Sequence, residues 1–190
     1  MRIGEIRKNL LGCLETALFM PAGTRIGSGY EEMLRSFFVP VLAFPVALLA
    51  IYLSPQPGMA GYSENTLSLL HTLRFTLSLG IFLGFVYVIA SKIERRDHFF
   101  RFIIANNWLS VVPAVLTLPI LFMLTGGDGQ SFVEAQALSA LLLVYTCAMT
   151  AFIAACTLVI PIELAGFIAF IGFVVNDSSY DILGWITRLL

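Results

Sequence analysis

Between Phe100 and Leu124 the chain reads FRFIIANNWLSVVPAVLTLPILFML, with no ionisable residue after Arg101. As a helix this stretch would rise roughly 37 Å at about 1.5 Å per residue, against a hydrocarbon core about 30 Å thick. It predicts a membrane crossing, and it carries Asn106, Asn107, Pro113 and Pro119 inside that crossing.

The rest of the chain agrees. Hydrophobic residues make up 58% of it and charged residues 12%, whereas soluble domains carry about 25% charged residues. The expected fold class is all-α, a polytopic membrane helix bundle of five transmembrane helices with an N-terminal amphipathic interfacial helix. Residues 1–27 form that helix and a linker. Residues 28–190 form the transmembrane domain, with spans near 32–54, 67–92, 99–124, 135–160 and 161–179.

At the N-terminus Ile3, Ile6, Leu10, Cys13 or Leu14, and Ala17 or Leu18 recur at steps of three and four, with Glu5, Lys8, Asn9 and Glu15 mostly between them. Such a helix lies along the membrane surface or packs on the protein's own end. The same polar residues interrupt any signal-peptide core, so the segment is expected to stay on the chain. Pro21 and Gly23 end it. Ser28 with Glu31, and Ser131 with Glu134, have capping-box spacing and predict helix starts. Pro40 and Pro45 deprive the carbonyls of Ser36 and Val41 of their amides, which predicts a first span that bends or opens. The turn Ser54-Pro55-Gln56-Pro57-Gly58 stops it.

In the second span Thr72, Thr76, Gly80 and Gly84 form a narrow face of small side chains that predicts close helix packing, within the chain in preference to between copies. His71 and Arg74 are expected near the membrane edge as interfacial or snorkelling residues, in preference to a proton path. Lys92, Arg95, Arg96 and Arg101 form the densest basic cluster, while the segments Ser54–Thr66 and Thr125–Val133 contain no Lys or Arg. The positive-inside rule therefore places the N-terminus and this cluster in the cytoplasm, in a bacterial inner membrane, with the C-terminus opposite. The cluster also suits anionic headgroups.

In the third span Asn106, Ser110, Pro113 and Thr117 share one face, and Asn107 points about 100° away, so the two amides cannot enter one seam and one of them can face the headgroups. Pro113 leaves the Leu109 carbonyl unbonded. That face serves interhelical hydrogen bonding, or a polar substrate or ion site. The fifth apolar core, Leu164–Val175, reaches only about 18 Å, so its crossing recruits flanking residues; Ala165, Ala169, Gly172 and Asn176 give it a small face, and Asp177 and Ser178 can restart a helix into an interfacial tail.

Chemistry-bearing clusters are absent. His71 and His98 fall on opposite sides, and Cys13, Cys147 and Cys156 lack metal-ligand spacing, so no metal and no cofactor are expected. No nucleophile has a base at recognisable spacing, which argues against an enzyme. Nothing points to nucleic acid; the expected partners are the lipid bilayer and a membrane protein or a second copy.

The basic loop, FRFIIANNWLSVVPAVLTLPI, a Gly-containing outer loop, the span LLLVYTCAMTAFIAA and a Pro161-led apolar helix together resemble the bacterial Yip1-like (Yip1 domain) membrane proteins. The likeness is detailed over residues 99–183 and looser in the five-span layout. It implies a fold and little about partners; the leading expectation of function is a membrane scaffold, or a protein that associates with partners or lipids. The alternative is a small transporter or channel subunit using Asn106, Ser110 and Thr117.

Overall fold

Every apolar run forms a helix in the computed structural model, which describes residues 3–20, 25–53, 63–125 and 129–189. Helix α1 is Ile3–Ala17, α2 Tyr30–Ser36, α3 Phe38–Leu53 and α4 Glu64–Lys92; a single 3-10 turn, Arg96–His98, leads into α5, Phe99–Leu109. Then come α6, Val111–Thr125, α7, Gly129–Leu158, and α8, Ile162–Leu189. Five segments are long and apolar enough to cross a bilayer: Tyr30–Leu49, Asn65–Lys92, Arg96–Thr125, Phe132–Leu158 and Ile162–Ser179. The protein is an all-α membrane helix bundle. The expected stops at Pro21 and Gly23, the turn 54–58 and the loop centre 126–128 lie outside the described residues.

Two spans are interrupted, each just before a proline. The first breaks at Phe37, between α2 and α3, three residues ahead of Pro40, whose missing amide leaves the Ser36 carbonyl free. The third breaks at Ser110, between α5 and α6, ahead of Pro113. Pro45 and Pro119 lie inside α3 and α6 without ending them.

Three helix boundaries differ from expectation. Helix α2 starts on Gly29 with no side-chain cap, because Glu31 is drawn to Arg35 at 3.3 Å instead of reaching back. Helix α7 starts at Gly129, which places Ser131 inside it. Helix α8 runs 28 residues without restarting at Asp177: Ser179 Oγ donates back to the Asn176 carbonyl at 2.6 Å, and Arg74 holds that carbonyl from α4. By contrast Ser63 caps α4 as its polar start implies, its oxygen accepting from the Thr66 amide.

Helix α8 packs between α7 and α4, α7 also supports α5 and α6, α3 lies on α6, and α2 on α5. Phe102, Ile104, Met149, Ile153, Leu158 and Ile168 fill the centre. Helix α4 faces this core through His71, Arg74, Ser78, Phe82, Val86 and Ala90. The small face Thr72, Thr76, Gly80 and Gly84 is therefore corrected: it is exposed, turned away from the bundle, and a Cβ on Gly80 or Gly84 would meet nothing within 4 Å. Close approach comes instead from α8, where a Cβ on Gly172 would stand 2.9 Å from the Phe82 ring.

Three helices end in the same way. Phe19, Glu94 and Val159 adopt φ of 56°, 59° and 54°, while the next amides reach back from Met20 to the Glu15 carbonyl, Arg95 to Ala90 and Ile160 to Ala155. This is the Schellman closure, in which glycine is the unstrained residue. Val159 is the costliest of the three because it is β-branched. Val159→Gly is expected to raise stability by about 1 kcal/mol, read as a higher thermal midpoint in detergent; an unchanged or lower midpoint would contradict the strain.

Candidate functional site

The break at Ser110 shapes a place where the spans part around polar side chains. Without an amide at Pro113 the helix tightens: the Ser110 amide bonds the Asn107 carbonyl at 3.3 Å and Ser110 Oγ donates to the same oxygen at 2.6 Å. Beyond the bend α6 packs on α3 and α7, whereas α4 stays on α8 and touches α5. Between them lies a partly open cavity of about 390 Å³. Asn106, Ser110 and Pro113 line it from the bent span, Ser78 and Phe82 from α4, Thr146, Cys147 and Thr150 from α7, and Gly172 and Asn176 from α8.

The expected polar face is divided by the same bend. Thr117 does not reach this cavity; its hydroxyl donates to the Pro113 carbonyl at 2.7 Å, and it lines a separate hollow of about 280 Å³ with Gln136 and Ser139. Asn107 points the other way, as the 100° offset requires, yet it faces no headgroup. It is 1% exposed, and its Nδ2 donates to Ser36 Oγ at 2.9 Å. Ser36 in turn donates to the Met33 carbonyl at 2.7 Å. The freed turn of the first span is thus pinned to the third by an amide and a hydroxyl.

That pair is asymmetric. Ser36→Ala strands the whole Asn107 carboxamide in the core and is expected to cost about 1–2 kcal/mol, while the double variant Ser36→Ala with Asn107→Leu removes both polar groups and recovers most of that loss. Unfolding of the two variants in mixed micelles checks this; a double variant weaker than Ser36→Ala alone would refute it.

His71 and Arg74 do not snorkel. They are 1% and 7% exposed, because α8 continues alongside α4 at their level. Arg74 Nη1 donates to Asn176 Oδ1 at 3.1 Å and to its carbonyl at 3.4 Å, so this arginine stands directly behind one wall of the cavity. The basic cluster is a surface feature: Lys92, Arg95 and Arg96 are exposed and Arg101 is half-buried. Arg96 donates to Ser91 Oγ at 2.9 Å and sits 5.8 Å from the Tyr87 ring centroid.

Of the two placements open to α1, the structure shows it docked on the bundle, across α5 and α7. Cys13 Sγ donates to the Trp108 carbonyl at 3.2 Å, Tyr145 Oη to the Ala17 carbonyl at 2.6 Å, and Arg35 pairs with Glu5 at 3.3 Å. Phe19 turns edge-on to Tyr145 and Phe152. Tyr145 was not legible as a tether, since nothing in the sequence tells which apolar helix receives α1. Burial pushes the Cys13 thiol up to about 11 from 9.0. The unfolded chain ionises first, so the thiol's contribution is complete below pH 9 and is lost as pH rises towards 11. With Cys147 and Cys156 replaced by Ala, iodoacetamide at pH 8 is expected to label native protein far more slowly than denatured protein; equal rates would contradict the burial.

Among the described residues no group of three or more His, Cys, Asp and Glu side chains is placed to hold a metal ion. Fold and site together define a helical membrane protein with a polar-edged cavity at a proline bend. Among known proteins, no family model, no curated protein and no solved structure matches the chain.

Proposed function

We propose that this is a non-enzymatic, lipid-associating integral membrane protein of the Yip1-like kind, whose cavity at the Ser110 bend holds part of an amphiphile. The observation that carries the reading is the cavity itself: mostly apolar walls, a few convergent polar groups and an incomplete enclosure, which suit a molecule that is part hydrocarbon and part polar. The exposed cluster Lys92, Arg95 and Arg96 supports a cytoplasmic N-terminus in a bacterial inner membrane, with anionic lipid against that end.

A photoreactive fatty-acyl probe in nanodiscs tests the cavity. Label is expected on the Thr146–Thr150 peptide and should disappear in Leu79→Trp, which adds bulk at a half-buried lining position. Label confined to outward-facing residues such as Leu141 and Val144 would end the proposal. Burial of Arg74 within the bundle favours a second reading, a small transporter or channel subunit, because intramembrane cations often line transport routes. Solute flux into proteoliposomes that is lost in Asn106→Leu, with insertion intact, would replace the lipid reading with this one.

A further inference from the structure

We infer that the cavity accepts the head region of an uncharged, hydroxyl-bearing lipid of the diacylglycerol type. This rests on the amphiphile reading above and follows from counting which hydrogen-bonding valences the walls leave open. Ser78, Ser110, Thr146 and Thr150 each donate their hydroxyl proton to a carbonyl of their own helix, from Phe75, Asn107, Leu142 and Thr146 respectively. Each therefore offers the cavity lone pairs only. Asn106 is half-buried and its carboxamide hydrogen-bonds no described residue, so it presents two N–H donors and one acceptor. Asn176 Oδ1 already accepts from Arg74, which leaves its amide protons and one lone pair.

A complementary head group thus needs at least one O–H to give and one carbonyl oxygen to receive. Its hydroxyl donates to a threonine or serine oxygen or to Asn106 Oδ1, and its ester carbonyl accepts from Asn106 Nδ2. Among the described residues no Asp, Glu, Lys, Arg or His lines the cavity, so a phosphate, carboxylate or ammonium would be desolvated without a counter-charge. Arg74 stands behind Asn176, engaged with it, and is not among the lining residues. At about 390 Å³ the space takes a glycerol ester head, and the incomplete enclosure lets acyl chains remain in the bilayer.

The test uses the full chain in phosphatidylcholine nanodiscs with a photoreactive diacylglycerol, mapped by peptide mass spectrometry and competed with unlabelled lipids. Diacylglycerol is expected to displace the label from the Thr146–Thr150 peptide at a concentration at least about tenfold lower than phosphatidic acid or a long-chain amine, whose charge would be buried there without a partner. Asn106→Leu should weaken that labelling by a similar factor and leave outward label at Leu141 and Val144 unchanged, which also reports folding. Asn106→Asp keeps the shape and should reverse the preference towards the amine. If phosphatidic acid or the amine competes equally with the wild type, the inference falls while the amphiphile site stands. If no probe labels the cavity, both fall.

Discussion

Phe102→Ala should be the most damaging single truncation in the protein, lowering the free energy of unfolding by about 3–5 kcal/mol. Phe102 is fully buried on α5, and its ring lies 6.1 Å from that of Phe82 on α4. Phe82 itself is held by the close approach of Gly172 on α8. One side chain thus ties three spans together just below the cavity. Lipid is as apolar as a protein core, so the transfer part of the usual penalty shrinks and the loss of packing contacts dominates. The lower end of the range is the expected result. Denaturant titration in mixed micelles measures it, with Phe122→Ala as the control, since Phe122 is 76% exposed. A Phe102→Ala variant no weaker than that control would show that the α4–α5–α8 junction does not hold the bundle.

The same physics explains what the sequence reveals and what it hides. The spans are legible because four of them are apolar runs of about bilayer length and the fifth is a shorter apolar run with flanks it can recruit, and the breaks at Phe37 and Ser110 are legible because the effect of Pro40 and Pro113 is local to one turn. Which face of each helix is buried is a different matter. In water hydropathy marks the buried face, but a lipid-facing leucine and a core leucine are equally apolar. The stripe Thr72, Thr76, Gly80 and Gly84 carries the better packing pattern, yet α4 turns Phe82 and Val86 inward, because the complementary small residue is Gly172 on another helix. Likewise the opposite directions of Asn106 and Asn107 follow from helix geometry alone, whereas the partner of Asn107 depends on how far the opened first span brings Ser36. The length of α8 is hidden for a related reason: the apolar window stops at Val175, and the helix continues because a residue 102 positions earlier bonds Asn176.

That bond sets the second large expectation. Arg74→Met should cost about 1.5–3 kcal/mol, the worth of hydrogen bonds made by a charged donor, and its effect should be concentrated in α8 beyond Asn176. Methionine roughly preserves the apolar stem and removes the guanidinium, so the Asn176 carbonyl loses its donor from α4 and Oδ1 loses its only described partner. The following residues, Asp177 and Ser178, are polar and exposed and bring little packing of their own to keep the last turns in register. Amide exchange over residues 177–189 should therefore accelerate more than exchange over 162–175. Arg74→Lys should recover part of the protection, since an ammonium keeps the charge and three donors but is shorter than the guanidinium arm. Releasing Asn176 also frees one wall of the cavity, so photolabelling at Thr146–Thr150 should fall even though Asn106 is untouched. If Arg74→Met exchanges like the wild type past Asn176, α8 is held there by its own helical bonds, and the contact from α4 adds nothing to its length.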